Sequence, residues 1–356
     1  MPLTLAATAI AIVVAAAQPP REATSLLGKP LVSPPVADGV RARLEADLAA
    51  ARSALDRAPA DPDARIWVGR RLAYLGRYRD AIAVFTEGVE RFPKDARFLR
   101  HRGHRYITVR EFDRAVADLE RADALVAGTP DEVEPDGQPN PRNIPLTTLQ
   151  SNIRYHLALA YYLKGDYAKA APVWQRARDA VKNPDNLVSA THWRYLTLRR
   201  LGRSDEAARA LDAIAPGLDV IENASYYSLC QMYMGTRTAD DVLGAAGTGP
   251  SGAAVVYGVS AWHAIQGRRA EARALWQRLV EGPDWAPFGV IAAEADLARE
   301  HERVDAAPAF CYQMTRTAPD ARMSASCVRS GSASVRAAAA INPSNGSRVN
   351  RSSSAR

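Results

Sequence analysis

A spacing of 34 residues repeats along the middle of this chain. Residues 62–95 and 96–128 superimpose at that offset, and similar side chains coincide: Gly69 with Gly103, Leu72 with Tyr106, Tyr78 with Phe112, Ala81 with Ala115, and Phe85 with Leu119. The same frame recurs from Ser151 and, in weaker form, from Val188 and Ala253. A fixed period of this length indicates one supersecondary unit stacked on its neighbours, because a single unit does not bury its own apolar face. The chain is therefore predicted to fold as an array of repeats.

Apolar, glycine and small residues inside each repeat predict a pair of helices. Large apolar side chains of the first repeat recur at intervals of three and four, as on one face of a helix: Leu72, Leu75, Ile82, Phe85 and Val89. Glycines stand where a left-handed C-terminal cap would end the first helix of a pair: Gly76, Gly165 and Gly202. Small residues at matched positions would let paired helices approach closely: Gly69, Ala81, Gly103 and Ala115.

This pattern resembles the tetratricopeptide repeat (TPR) family. The family's unit is a helix–turn–helix with a small residue in helix A, a glycine at the turn, and alanine followed by an aromatic residue in helix B. The resemblance is strong in the repeats that start at Pro62, Ala96 and Ser151, and poor around residues 221–252. It implies an all-α fold, an α-solenoid of stacked TPR helix–turn–helix repeats.

The segments around the repeats set the expected domain boundaries. Residues 129–148 contain five prolines and are predicted to be a Pro-rich loop inserted into the solenoid, because proline breaks helices. The solenoid with this insertion is assigned to residues 36–301, after a linker at residues 18–35. An irregular to disordered tail is predicted at residues 302–356, which are rich in serine, alanine and arginine. An apolar stripe ahead of the first full repeat is predicted to form a capping half repeat: Val40, Leu44, Leu48 and Leu55.

Residues 1–17 predict export. They form an uncharged, apolar stretch that ends in small residues at Ala15 and Ala17, as in a secretory signal peptide. The stretch is shorter than the roughly 20 residues that cross a bilayer, so no stable membrane span is expected after cleavage. The excess of arginine over lysine and the abundance of alanine favour a bacterial source. We therefore expect a periplasmic or secreted, exported bacterial member of the TPR family.

Charge and cysteine patterns argue against several function classes. The formal net charge is +7, but five arginines and no acid lie beyond Met323, and residues 18–322 carry 41 basic and 39 acidic side chains. Such a body offers no basic face, so no nucleic-acid partner is expected. Cys230 is predicted to be a small buried apolar residue, and a Cys311–Cys327 bridge is one option in an oxidising compartment.

Motifs for cofactors, metals and catalysis are not found in the sequence. No glycine-rich phosphate loop, G-x-S-x-G elbow or zinc-type Cys/His spacing occurs. His101 and His104 lie three residues apart, but no further ligand completes a metal site locally. We therefore expect no cofactor, no metal and no catalytic residues.

The resemblance implies that helix A of each repeat lines a concave groove that binds a partner. Arginines at one end could form paired hydrogen bonds to a carboxylate or phosphate, and tyrosines in the middle could flank an apolar side chain. An acidic partner is therefore one option. The predicted partner-binding residues are Arg70, Arg97, Arg100, His104, Tyr155, Tyr162, His192 and Arg199.

The function inferred from the sequence is that of an exported TPR scaffold. It would bind a protein or peptide partner in its concave groove and catalyse nothing itself. Two alternatives remain open. One is a structural subunit of an envelope complex, held by the convex face. The other is a hydrolase-like enzyme that uses groove residues: His104, His156, His192 and Glu294.

Overall fold

The computed structural model describes residues 20–34 and 36–316. The predicted signal peptide at residues 1–17 lies outside the described residues, as does the part of the predicted tail beyond residue 316. The chain divides into two units, Met1–Val304 and Asp305–Arg356, and every contact given below lies within the first.

The described chain is built almost entirely of antiparallel helix pairs. Each predicted repeat corresponds to one pair, and the two helices of every pair pack against each other. The pairs are α2 (Pro62–Tyr74) with α3 (Tyr78–Arg91), α4 (Ala96–Thr108) with α5 (Phe112–Leu125), α6 (Leu149–Lys164) with α7 (Tyr167–Asp179), α8 (Pro184–Arg200) with α9 (Ser204–Ala210), and α12 (Gly249–Ile265) with α13 (Arg269–Glu281). The all-α repeat fold predicted from the 34-residue spacing is confirmed.

Three further helices lie outside the five pairs, in addition to α14, which is described below. The helix α1 (Asp38–Arg57) precedes the first pair, and α10 (Ala224–Tyr233) and α11 (Ala239–Gly244) fill the region where the repeat pattern is poor. In α1, Leu44 and Leu48 are buried as predicted, whereas Val40 is 44% exposed. A capping helix therefore stands where the half repeat was expected.

Local signals account for where the helices begin and end. The side chains of Asp61 and Asp95 accept hydrogen bonds from backbone N–H groups in the first turns of α2 and α4, which lack helical partners. The predicted glycine caps are present, with φ of +73° at Gly76, +85° at Gly165 and +73° at Gly202. Such backbone angles favour glycine because it has no Cβ.

Small residues let the paired helices approach, as predicted. A Cβ placed on Gly69 would lie 2.4 Å from Cε1 of Phe85, and one on Gly103 would lie 2.7 Å from Cγ of Leu119. Both distances are too short for a real contact. The close packing of α2 on α3, and of α4 on α5, therefore requires glycine at these two positions.

The predicted linker at residues 18–35 contains ordered secondary structure instead. The strands β1 (Arg21–Thr24) and β2 (Pro30–Val32) form an antiparallel hairpin. The buried carboxylate of Glu22 accepts a hydrogen bond from the backbone N–H of Arg79 at 2.8 Å, which ties the hairpin to α3. A linker is the wrong description because these long-range contacts, and not the local sequence, hold the hairpin.

The part of helix α14 (Phe288–Arg316) up to Val304 covers the side of the solenoid that the first helices of the pairs form, here called the concave side. It contacts the first helices of successive pairs: the Arg299 guanidinium donates to the carbonyl of Leu163 in α6, and Asp296 pairs with Arg200 in α8. The predicted irregular to disordered tail at residues 302–356 is wrong for residues 302–316, because α14 continues to Arg316.

Candidate functional site

The first helices of the pairs line the concave side, and α2 and α4 bring several predicted residues together. Arg70, Arg100 and His104 line one cavity of about 130 Å³, together with His101 and Arg105. This set of five residues is called the arginine cleft. A larger cavity of about 540 Å³ shares part of its lining with the cleft, including Tyr74, His104 and Arg105.

The Pro-rich insertion lies against the arginine cleft as an extended segment, here called the strap (residues 131–147). The carboxylate of Glu134 lies 3.0 Å from Nε of Arg100 and accepts a hydrogen bond from the Asn152 side chain at 2.9 Å. Arg70 donates to the backbone carbonyl of Pro135 at 2.7 Å. The strap is therefore held by the type of contact that a bound peptide would make.

The strap begins and ends beside α6 and reaches further helices in between. At its base, the backbone N–H of Glu134 donates to the carbonyl of Thr147, within an isolated antiparallel bridge. At its far end, Arg142 pairs with Asp219 at 2.8 Å, and the amide of Asn140 donates to Glu222 at 2.8 Å. The strap thus crosses the concave side from α2 to the segment before α10.

A second cavity of about 220 Å³ lies beside the strap, between α6, α8 and the start of α10. We call it the tyrosine pocket. The hydroxyls of Tyr155 and Tyr226 lie 3.3 Å apart, and the indole of Trp193 donates to Tyr155 at 2.9 Å. The lining combines aromatic rings with amide, hydroxyl and carboxylate groups: Thr147, Ser151, Asn152, Tyr155, His156, Ala177, Asn186, Ser189, Ala190, Glu222, Asn223, Tyr226 and Phe288.

Burial sets the charge state of the arginine cleft. It lowers the pKa of His101 and His104 well below 6.5, and the positive charges of nearby arginines lower both further. Burial, with Arg100 and Arg70 close by, lowers the pKa of Arg105 to about 10. At neutral pH the imidazoles are therefore uncharged while Arg105 keeps its charge. The ring centroids of His104 and His156 lie 4.2 Å apart, a contact that suits uncharged rings.

Three of the predicted groove residues are not free for a partner. Arg97 bonds to Asp95, which raises the pKa of Arg97, and it also pairs with Asp63. Tyr162 and His192 are 0% exposed. The prediction that these two side chains line an accessible groove is wrong, because helices and aromatic rings pack over them.

Arg199 also lies apart from the arginine cleft and the tyrosine pocket. Its guanidinium donates to the hydroxyl of Tyr195 at 2.9 Å, one turn away on the same helix, and it lines neither cavity. The residues predicted to line one groove therefore lie in several different places. Arg70, Arg100 and His104 share the cleft, Tyr155 lines the pocket, and Arg97 lines a third cavity between α2, α4 and the strap.

Sequence reasoning missed Glu134, Arg105 and Tyr226. The available signal was the composition of the insertion, whose acids lie close together at Asp131, Glu132, Glu134 and Asp136, while the predicted groove is rich in arginine. Opposite charge between an insertion and a groove of the same chain predicts contact between them. Arg105 and Tyr226 had no comparable signal, because neither lies at a predicted groove position.

The residues of the hydrolase alternative do not form one group. His104 and His156 are in contact, but His192 lies among the aromatic rings of α8 and α10, and Glu294 pairs with Arg110 at 2.8 Å. Within residues 20–34 and 36–316, no cluster of three or more His, Cys, Asp or Glu side chains is placed to hold a metal ion. Cys230 is buried, as predicted. No helix in the same ranges has the length and apolar character needed to cross a bilayer.

Comparison with known proteins gives structural likenesses only. No family model matches the sequence, and a search of curated proteins gives no match. YrrB, a TPR protein with an unusual peptide-binding site, is 16% identical, with 69% of this chain and 97% of YrrB covered and a TM-score of 0.39. TPR-like repeats of a putative kinesin light chain from Podosopora anserina are 17% identical, with 67% and 97% covered and a TM-score of 0.38. These scores carry no argument about function, and the TPR-like, all-α repeat fold stands on the helix pairs themselves.

Proposed function

We propose that this protein is a non-catalytic protein-interaction scaffold that binds a peptide segment of a partner protein on its concave side, at the tyrosine pocket. One observation carries the proposal. The concave side already holds an extended segment of its own chain, the strap, through contacts to a backbone carbonyl and a carboxylate. A surface that holds one peptide segment in this way has the chemistry to hold a second one beside it.

The tyrosine pocket is suited to a peptide with an apolar or aromatic side chain. Tyr155, Tyr226 and Phe288 offer ring surface, and such rings give large contact area for little loss of side-chain freedom. Asn186 and Asn223 line the same pocket; each side-chain nitrogen donates to a backbone carbonyl, of Leu146 and of Asp185, and each amide oxygen is an acceptor that suits a peptide N–H. Ring surface combined with polar groups that fix orientation is common in binding sites.

Filling the tyrosine pocket tests the proposal. Thr147 lies on its rim, partly exposed, and Thr147→Trp should block the pocket without disturbing the helix pairs. The matched control is Arg209→Trp on α9, at an exposed position outside the lining. Both variants and the parent would be used as bait for proteins from the organism's own envelope fraction.

The expected result is a partner that the parent and Arg209→Trp retain and Thr147→Trp loses. Binding of a synthetic peptide from that partner, measured by calorimetry, should show the same order. Retention by Thr147→Trp with loss by Arg209→Trp would contradict the proposal and favour the structural-subunit alternative, in which the outer face binds.

Export is part of the proposed function. The apolar stretch at residues 3–17 supports it, and the mature chain is expected to begin near Gln18. Mass spectrometry of the protein recovered from the periplasm measures its first residue. Recovery from the cytosol with Met1 intact would contradict export while leaving the binding proposal open to its own test.

A further inference from the structure

The charges of the strap and of the surface beneath it are opposite. The strap contains Asp131, Glu132, Glu134 and Asp136, and α2 and α4 place Arg70, Arg100 and Arg105 on the facing side. Yet only Glu134 forms an ion pair with this arginine set. The cleft therefore has more positive charge than the strap neutralises.

Arg105 carries positive charge that the strap does not neutralise. Among the described residues it forms no ion pair, and its nearest aromatic contact is the ring of Tyr78, with 5.6 Å between the guanidinium carbon and the ring centroid. It lines both the cavity of about 130 Å³ and the adjoining one of about 540 Å³. Open space beside a half-buried, unpaired guanidinium is a place for an anionic group.

We infer that the strap is an internal ligand of a docking site for an acidic peptide segment of a partner protein. In the bound state one carboxylate of the partner takes the place of Glu134 at Arg100, and a second one pairs with Arg105. The inference rests on the proposed function, since it names the chemistry of the partner segment. It places that segment in the arginine cleft, next to the tyrosine pocket.

The contacts of the strap are consistent with displacement. Its far end is held by the hydrogen bond from Asn140 to Glu222 and by the ion pair Arg142–Asp219, in which the two side chains are 48% and 73% exposed, and exposed pairs hold weakly. Its base is fixed more firmly, since Asp131 accepts hydrogen bonds from the hydroxyl of Thr148 and the backbone N–H of Gln150. The Glu134 side chain and the residues that follow it can therefore leave the cleft while the backbone pairing of the base stays in place, and their return competes with the partner.

Competition from the strap lowers the affinity that is measured for an external peptide in the parent protein. A tethered segment acts at an effective concentration on the order of millimolar, so a free peptide binds weakly until the strap is released. The apparent affinity is the intrinsic affinity reduced by the fraction of molecules in which the cleft is open. Loosening the strap should therefore tighten the binding of an external acidic peptide.

The probe is a fluorescent synthetic peptide with the sequence of residues 129–138, and anisotropy measures its binding to the purified full chain. Glu134→Gln removes the internal carboxylate from Arg100 and should tighten binding about tenfold or more, by raising the open fraction. Glu132→Gln is the matched control, because it removes the same charge from an exposed side chain for which the structure shows no ion pair. It should bind the peptide as the parent does.

Two further variants keep the inference testable if Glu134→Gln folds poorly. Arg142→Ala removes one of the two contacts that hold the far end of the strap without changing the cleft, and it should also tighten binding. Arg105→Met, made in the Arg142→Ala background, should abolish binding, whereas Arg114→Met in that background should have no effect, since Arg114 is exposed on α5. Circular dichroism and urea unfolding of each variant establish that it is folded.

Several results would overturn the inference. Glu134→Gln binding no more tightly than Glu132→Gln would show that the strap does not occupy the site. Equal binding of a peptide with glutamine in place of every acid would show that carboxylates are not recognised. Inorganic phosphate bound as tightly as the peptide would assign the cleft to phosphate. In each case the capture experiment with Thr147→Trp still decides the proposed function separately.

Discussion

Two carboxylates close the two halves of the concave side, and their surroundings differ. In the aromatic half, formed by α6, α8 and α12, Asp296 of α14 pairs with Arg200 and Arg299 and accepts a hydrogen bond from Tyr257, and its side chain is 2% exposed. In the arginine half, formed by α2 and α4, Glu134 of the strap pairs with Arg100, and its side chain is 10% exposed.

The two halves differ because α14 and the strap, which cover them, contribute different kinds of side chain. The helix α14 brings apolar surface as well as a carboxylate, so the aromatic half becomes part of the main core, with Tyr162, Trp193 and Tyr257 almost fully buried. The strap brings prolines and acids, so the arginine half keeps cavities and charge. Equivalent positions of a repeat therefore become part of the core or line a cavity according to the segment that covers them.

The ion pairs of Asp296 show how firmly the aromatic half is closed. Burial acts to raise the pKa of Asp296, but the charges of Arg200 and Arg299, with the hydrogen bonds to the carboxylate, outweigh it and hold the pKa below its usual 3.8. The carboxylate is therefore charged in the folded protein at neutral pH. Its loss would leave two largely buried arginines without their partner.

Asp296→Ala is expected to have the largest effect on stability. Removing one partner of a buried ion pair leaves an uncompensated charge and costs about 3–5 kcal/mol. Urea unfolding measures the free energy of unfolding, and Asp205→Ala, at an exposed position on α9, is the control that should change little. A loss well below that range would mean that α14 does not close the aromatic half as tightly as its contacts indicate.

Overpacking should act equally in both halves. Gly69→Ala and Gly258→Ala each add a Cβ, which would lie 2.4 Å from Phe85 and 2.5 Å from Leu229. Each variant should lose about 1–3 kcal/mol in free energy of unfolding. Gly39→Ala in α1 meets no atom within 4 Å and should gain about 0.4–1 kcal/mol, because alanine restricts the unfolded chain. A difference in free energy of unfolding between Gly69→Ala and Gly258→Ala would show that one half accommodates the added methyl group more easily than the other.

The buried histidines make stability depend on pH. Burial lowers the pKa of His192 to about 3, whereas in the unfolded chain it is about 6.5. The unfolded state therefore binds a proton that the folded state does not, so stability is full above pH 6.5 and falls as the pH drops below it. His192→Gln should reduce the slope of the free energy of unfolding by about 1.4 kcal/mol per pH unit between pH 6 and pH 4.

Urea unfolding at several pH values measures that slope. The difference between parent and His192→Gln at pH 7.5, where the imidazole is neutral in both states, gives the packing cost of the substitution alone. Parallel pH curves for the two proteins would show that His192 does not carry this dependence. His101 and His104 on α4, and His156 on α6, contribute in the same direction, because burial lowers the pKa of each.

The smallest effect on stability is expected at the far end of the strap. Arg142→Ala removes an exposed ion pair and should cost less than about 1 kcal/mol in free energy of unfolding. Amide hydrogen exchange should nevertheless become faster in residues 135–144 and stay unchanged in α14. Unchanged exchange in the strap would mean that Arg142 does not help to hold it.

Much of the fold was predictable because its signals are local. The repeat starts at Pro62, Ala96, Ser151, Val188 and Ala253 each fall at or within a few residues of the start of a helix pair. Spacing of apolar residues, glycine caps and small interface residues act within one repeat or between neighbours, so one sequence contains them in readable order.

The candidate site was only partly predictable, because it depends on segments far apart in the chain. The resemblance placed Arg70, Arg100 and His104 on helix A, and these three do line one cleft. The same resemblance placed Tyr162 and His192 in an open groove, where packing by distant elements leaves both fully buried. Arg97 pairs with Asp63 and with Asp95, and only the contact between these side chains in the folded chain shows that it is occupied.

By itself, the sequence determined the stacked helix pairs and the positions of their ends, since helix formation and pair packing follow from residues close together in the chain. The tertiary structure alone decided which face of the array stays open. The strap places Glu134 at Arg100, and α14 places Asp296 between Arg200 and Arg299. The ion pairs Arg100–Glu134 and Arg200–Asp296 join residues 34 and 96 positions apart, and such contacts form only when the array brings opposite charges together and removes them from water.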